Sequence, residues 1–372
     1  MSRKRAGLII NPVAGLGGRV GLKGSDGERV QAQARRLGAQ AGAQRRALEA
    51  LAYLRGMKNE LEIVSYPAEM GADALRSAGI PPHEIGQIEP GRTTAADTRR
   101  AALDMQALGV DLLFFAGGDG TARDICAAVG TGLPTLGIPA GVKILSSAYA
   151  IHPGAAGQLG RAYLEGKFTE LREAEVLDLD EDEYRRGLVS PQLFGYLQVP
   201  YRRELVQARK APSRLSEPAA LQAIAQDVLD QMDEEHMYII GPGTTTRPIL
   251  ARLGLPKTLI GVDVLYRRQL LAADANEAQL LDLLERYPGW IVVTPIGGQG
   301  HILGRGNQQL SPAVLTRVGV GHVLVVSTVD KLLTLEHRPL LVDTGDPELD
   351  GQFQGFVKVI TGYHERLVYP VG

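Results

Sequence analysis

Five apolar residues, Leu112-Leu113-Phe114-Phe115-Ala116, run straight into Gly117-Gly118-Asp119-Gly120-Thr121, after which Ala122 to Val129 has the composition of a helix. So short and unbroken an apolar run reads as a strand buried on both faces, and a parallel sheet covered by helices provides that environment. A strand that ends in glycines and passes into a helix is also a device for holding an anion. The glycines let the backbone come close, and the helix start offers unpaired N–H groups. The carboxylate of Asp119 is then expected among amide donors at the carboxyl end of the sheet, where ligands of open α/β folds bind. Such a group can take the proton of an attacking hydroxyl or help hold Mg2+. The plain alternative is an ordinary glycine turn with a solvated aspartate, and three glycines around one acid directly after this strand fit it poorly.

Strand and helix signals alternate on either side of this segment. Leu8-Ile9-Ile10 reads as a first buried strand, Asp26 to Leu54 as mostly helix, and Leu61 to Tyr66 as a second strand ended by Pro67. A helix is expected over Ala72–Ser77, a short strand near Ile88, a helix from Thr98 to Leu108 and a strand at Thr135–Ile138. After Ser146 the connections lengthen, with strands expected at Phe194–Val199, Met237–Ile240, Leu259–Leu265, Trp290–Thr294, His322–Ser327 and Lys358–Ile360. The expected fold is α/β: an N-terminal open, mostly parallel sheet with helices on both faces over 1–146, and a second, mixed, strand-rich domain over 147–372. The last strand is a candidate to return to the first domain. Arg202 to Pro218, polar and punctuated by proline, reads as an exposed loop.

Composition narrows the function. A formal charge of -2 among 372 residues lacks the basic excess that neutralising a run of phosphates on nucleic acid requires. The lone Cys126 excludes an internal disulfide and any multi-cysteine metal site, as expected in the reducing cytoplasm. Asn11-Pro12 cuts the first apolar run too early for a signal peptide, and no segment approaches the roughly 18 apolar residues of a membrane helix. The 7 histidines show no metal-ligand spacing, so no protein-held metal is assigned. Nucleic acid and membrane are therefore not expected as partners; a small-molecule substrate is, and a homo-oligomer is the expected assembly.

Several further segments can serve phosphate. Asn11 can brace the first loop by side-chain bonds to backbone while Gly15 and Gly17 let that loop lie against an anion; a plain strand-to-helix turn explains them equally. Lys23 and Lys143 stand in glycine-flanked loops where an ammonium can neutralise phosphate charge. Thr94 and Asp97 can bind ribose or phosphate, or simply cap the helix that follows. Gly241-Pro242-Gly243-Thr244-Thr245-Thr246-Arg247 and Gly297-Gly298-Gln299-Gly300-His301, with Arg305 beyond, each follow an expected strand. Gly243, Thr244, Thr245, Gly298 and Gly300 are the candidate ligand contacts there. The acidic run Asp178 to Glu183 reads as a solvated hairpin. Gly15 to Gly21 imitates a dinucleotide fingerprint, but no acid closes a second strand about twenty residues on, and a Walker A motif is absent.

Gly117-Gly118-Asp119-Gly120-Thr121 resembles the signature of the superfamily of NAD kinases, diacylglycerol kinases and sphingosine kinases. Asn11-Pro12-Val13-Ala14-Gly15, Arg92 to Thr98 and Gly137 to Lys143 are similar to its companion turns, in order and spacing. The closer resemblance is to the branch called the ATP-NAD kinase or acetoin-catabolism X-protein family. It is carried by Val20 to Gly27, Gly118 to Asp124, and Gly297 to His301 through Gly304-Arg305-Gly306-Asn307. That resemblance implies an ATP or similar phosphoryl donor, Mg2+, and NAD as acceptor, with Asp119 as the catalytic group. The downstream Asn-Glu pair with which familiar NAD kinases grip the dinucleotide has no obvious equivalent. A kinase of another small hydroxyl compound, or a nucleotide-binding regulator without turnover, stays open on the sequence.

Overall fold

The computed structural model describes residues 3–18, 20–22, 32–34, 36–39, 41–57, 60–141, 144–179, 191–202, 205, 218–258 and 260–372. The chain divides into two compact units. The first comprises described residues from 3–16, 32–36 and 41–205, the second those from 17–22, 37–39 and 218–372.

In the first unit, β1 (Lys4–Ile10), β2 (Leu61–Ser65), β3 (Pro82–Glu84), β4 (Leu112–Gly117) and β5 (Thr135–Pro139) form a sheet in the order β3-β2-β1-β4-β5. All four pairings are parallel. Side chains alternate across the strands as the period of two demands. Leu8, Ile10, Phe114 and Ala116 meet one set of helices: α1 (Ala43–Leu51), α2 (Ala72–Ser77) and α5 (Pro153–Leu164). Ile9, Leu113 and Phe115 meet α3 (Ala95–Ala107) and α4 (Asp119–Val129) on the other face. Every residue of β4 is buried. The helix after β1 thus lies on one face and the helix after β4 on the other, although the two strands are neighbours.

The first unit continues past the expected boundary at 146/147. It takes in α5 and an antiparallel hairpin of β6 (Leu171–Leu179) and β7 (Pro191–Pro200), because Ala174, Val176, Leu197 and Val199 bury against Phe115 and the α4 residue Ile125. Cys126 of α4 lies half-buried under this hairpin with its Sγ 3.5 Å from the carbonyl oxygen of Tyr196, and burial pushes the thiol pKa up. The short strand expected near Ile88 lies instead at β3, where Pro82 to Glu84 pair with Ile63 to Ser65. Of the long helix expected over Asp26–Leu54, the described residues include α1, and much of the rest lies outside them.

The second unit carries a seven-stranded mixed sheet in the order β10-β9-β8-β11-β13-β15-β16. Its strands are β8 (Met237–Ile240), β9 (Asp263–Tyr266), β10 (Gln269–Ala272), β11 (Gly289–Val293), β13 (Val323–Val326), β15 (Gly355–Gly362) and β16 (Glu365–Val371). β8, β11, β13 and β15 run parallel, flanked by antiparallel β9 and β10 at one edge and β16 at the other. The last strand therefore stays in this sheet and does not return to the first unit, since Gly355 to Gly362 feed it directly as a hairpin. Tyr238, Ile240, Val292 and Val326 pack on α6 (Pro218–Gln231) and α7 (Arg247–Arg252). Ile239, Ile291, Val293 and Val325 pack on α8 (Glu277–Arg286), α9 (Pro312–Val318), α10 (Val329–Leu333) and α11 (Pro347–Gln352). Two very short strands, β12 (His301–Leu303) and β14 (Leu341–Val342), pair separately. Among the described residues no helix is long and apolar enough to cross a membrane.

The entry to β9 is fixed by a buried ion pair. Lys257 Nζ lies 2.9 Å from Asp263 Oδ2, their side chains 2% and 0% exposed. Asp263 also accepts from the Thr258 amide (2.9 Å), the Thr258 hydroxyl (2.7 Å) and the Asp274 amide (2.9 Å). Four donors on one carboxylate are what makes a buried charge tolerable. Removing the acid takes a counter-charge from a buried ammonium, so Asp263→Ala is expected to lower unfolding stability by about 3–5 kcal/mol. Urea denaturation checks this, and a loss under about 1 kcal/mol would show that the pair does not hold the strand.

Candidate active site

At the carboxyl end of the first sheet three chain turns are tied together. Asn11, directly after β1, receives a hydrogen bond at its side-chain Oδ1 from the Val13 amide (3.2 Å), while its Nδ2 donates to Thr121 Oγ1 (2.9 Å) in the first turn of α4. Its own amide donates to the Ala116 carbonyl at 2.9 Å. Asn11 thereby spans the gap between neighbouring strands whose helices leave to opposite faces. That gap is where open α/β sheets bind ligands. Beyond β5, the amides of Ala140 and Gly141 both donate to the Gly117 carbonyl at 2.9 Å, and the Tyr149 hydroxyl donates to the Gly118 carbonyl at 2.5 Å. The two glycine turns meet backbone to backbone, and a Cβ on Gly141 would lie 2.6 Å from the Cα of Gly118.

Asp119 is the first residue of α4, with Gly118 as its N-cap. Its Oδ2 accepts the Leu145 amide at 2.8 Å and its Oδ1 the Ser146 amide at 3.0 Å. The segment after the second glycine turn is therefore folded back onto the carboxylate. A carboxylate at a helix N-terminus is stabilised by the N–H groups there, and amide bonds to an anion are about twice as strong as neutral ones.

The other expected positions fall as follows. Gly15 stands close under Ala140, whose carbonyl oxygen a Cβ at position 15 would strike. Gly120 is half-buried in the first turn of α4, and Thr121 is buried. Gly17 belongs to the second unit, where its carbonyl accepts the Leu22 amide at 2.9 Å. Lys23 and Lys143 lie outside the described residues. Thr94 and Asp97 form a capping box at α3: Asp97 Oδ2 accepts the Thr94 amide (2.8 Å) and hydroxyl (2.9 Å). Burial alone would raise the Asp97 carboxyl, but these two bonds and the adjacent Arg100 outweigh it and hold its pKa below the ordinary range.

In the second unit, the loop after β8 is closed by Thr246, whose hydroxyl is shared between the carbonyls of Gly241 (2.8 Å) and Gly243 (3.1 Å). Thr244 is exposed and Thr245 buried. Lys331 Nζ donates to Thr245 Oγ1 (3.2 Å) and to Thr294 Oγ1 (2.9 Å) just after β11. The amides of Gly298 and Gly300 are engaged within the unit, with Thr334 Oγ1 (3.2 Å) and the Ile296 carbonyl (2.8 Å). Arg305 pairs with Asp343 at 3.3 Å in a buried position. Tyr149, the amides of Leu145 and Ser146, and Lys331 escape a reading of the sequence, since none sits in a glycine motif; position after an apolar strand is the only signal that marks Lys331. Among the described residues no group of three or more His, Cys, Asp or Glu side chains could hold a metal ion. The single carboxylate of Asp119 still suits Mg2+ arriving on phosphates, because that ion keeps several waters and takes only one or two carboxylates.

A doubly wound parallel sheet whose strand ends converge on glycine turns and one clamped carboxylate defines an enzyme that handles phosphoryl groups. Residues 7–168 match the ATP-NAD kinase N-terminal domain and residues 233–371 the ATP-NAD kinase C-terminal domain. The chain belongs to the ATP-NAD kinase family and is a kinase, with ATP the phosphoryl donor of the family. A search of curated proteins found no match to the chain.

The capping box gives a test that separates helix support from ligand contact. Asp97→Asn is expected to cost about 0.3–1 kcal/mol at neutral pH, the range for a charge at a helix N-terminus. With a folded pKa below the unfolded one, the contribution is full above the unfolded value and is lost as pH falls through the folded value. Urea denaturation of both proteins across the acid range should therefore show the difference shrinking with acidification. A pH-independent difference would refute the charged cap.

Proposed function

We propose that the chain transfers the γ-phosphoryl group of ATP to the 2′-hydroxyl of NAD, giving NADP and ADP, in the cytoplasm. The observation that carries this reading is the Asp119 carboxylate, oriented by the Leu145 and Ser146 amides at the carboxyl end of the sheet. Phosphoryl transfer asks for positioning and charge neutralisation more than for covalent chemistry. In the proposed step the acceptor oxygen attacks the γ-phosphorus, its proton passes to Asp119, and the bond to the β-phosphate oxygen breaks with its electron pair on ADP. In the first unit Asn11, Gly15, Gly117, Gly118, Gly120 and Thr121 form the cradle for the donor, with Lys143 supplying positive charge; Gly17, in the second unit, and Lys23 are further candidate phosphate contacts. As the alternative to acting as base, Asp119 is the residue that would help hold Mg2+ arriving on the donor phosphates, where the ion would supply neutralising charge. Thr94 and Asp97 border the nucleotide, and Gly243, Thr244, Thr245, Gly298 and Gly300 serve the acceptor.

NAD carries a pyrophosphate and so needs anion sites beyond those for the donor. A lipid acceptor would ask for a broad apolar pocket. Purified protein given ATP and Mg2+ with NAD, NADH and a panel of small alcohols is expected to yield 2′-phosphorylated dinucleotide by mass spectrometry. A different phosphorylated alcohol, with NAD unchanged, would refute the acceptor. Asp119→Asn is expected to lower turnover at least about 100-fold, the effect of losing a general base. It should also cost about 1–2 kcal/mol of stability, since the amide nitrogen cannot accept from a backbone N–H. Turnover within about tenfold of the unchanged protein would remove Asp119 from the chemistry.

A further inference from the structure

The second unit repeats, with different residues, the arrangement that makes the first unit a binding site. β8 and β11 are parallel neighbours. The chain leaving β8 enters α7, whose Ile249 and Leu250 pack on the face of Ile240 and Val292. The chain leaving β11 reaches Ile302, Leu303 and α9, which pack on the opposite face with Ile239 and Val293. Between two parallel strands whose connections part in this way a crevice opens at the carboxyl ends, and ligands of open α/β sheets bind there.

Thr245 stands on one lip of this crevice and Thr294 on the other, and the ammonium of Lys331, just beyond β13, bonds both hydroxyls. Gly243 comes close to the second lip, for a Cβ there would lie 2.8 Å from Thr294 Cγ2. A hydroxyl that accepts from an ammonium turns its own proton away from that charge. Thr245 is 2% and Thr294 9% exposed, and neither hydroxyl proton has an acceptor among the described residues. Two buried O–H donors converge beside one fixed positive charge, and buried hydroxyl protons call for an acceptor. The partner that fits is an anion with several acceptor oxygens.

We infer that Thr245, Thr294 and Lys331 form a phosphate-binding site within the second unit, with Lys331 supplying its charge. The inference deepens the proposed function and rests on it for the class of ligand, a phosphate group of a nucleotide or dinucleotide. Lys331 is a residue that neither the glycine motifs nor the family resemblance marked.

The test uses the full-length protein with threonine methyl groups labelled for NMR, and inorganic pyrophosphate as the probe. Pyrophosphate is expected to shift the Thr245 and Thr294 methyl resonances, the former assigned by its absence in Thr245→Val. Lys331→Met should weaken the pyrophosphate titration at these resonances at least tenfold, and Lys331→Arg should retain it. Thr245→Val keeps the shape of the side chain, so a loss of affinity read at Thr294 in that variant serves if Lys331→Met does not fold. Parallel titrations with ADP and NAD show which molecule carries the bound phosphate. Resonances that stay unmoved at saturating pyrophosphate, or that titrate identically in Lys331→Met, would overturn the site. Shifts that depend on Lys331 without formation of NADP would leave the site standing and refute the NAD reading; NADP formation with unmoved resonances would do the reverse.

Discussion

A strand such as β4, with each of its six residues buried, cannot face water on either side, so helices must cover both faces of its sheet. That burial requirement forces the chain to change faces somewhere. In the first unit the change falls between β1 and β4, in the second between β8 and β11. Wherever it falls, two loops diverge and leave polar backbone ends around an opening. The binding geometry is thus a by-product of how apolar side chains are hidden.

What the chain does with each opening differs. In the first unit the gap is spanned by a neutral side-chain amide, Asn11 to Thr121, and the charge beside it is negative, the Asp119 carboxylate. In the second the spanning group is itself a cation, Lys331 between two hydroxyls. In the proposed reaction the clamped carboxylate receives a proton, whereas the ammonium among hydroxyls attracts phosphate oxygens. The clamp on Asp119 also has a structural duty, because the same two bonds pin the segment at Leu145 and Ser146. In the proposed reaction, chemistry and local folding there share one side chain.

Legibility in the sequence followed locality. The strand, glycine turn and helix of residues 112–129 lie within one short window, so composition and order sufficed to place Asp119 at a sheet end. The capping box of Thr94 and Asp97 was readable for the same reason, being three residues apart. The domain boundary was not, because Val176 and Leu197 alternate with polar neighbours like any hairpin and only their burial against Phe115 assigns them to the first unit. β12 and β14, of three and two residues, are too short to carry any period. Lys331 is brought to Thr245 across 86 positions, and nothing nearby in the chain announces that meeting. The amides of Leu145 and Ser146 belong to the backbone and have no signature at all.

The hairpin of β6 and β7 has one more consequence. It lies over the lone thiol of the chain, Cys126, whose sulfur sits against the Tyr196 carbonyl on the helix that begins with Asp119. A shielded thiol with a raised pKa reacts slowly with alkylating reagents, and faster once its cover lifts. The rate of alkylation is therefore a built-in clock for local opening over α4, readable without engineering any new residue into the protein.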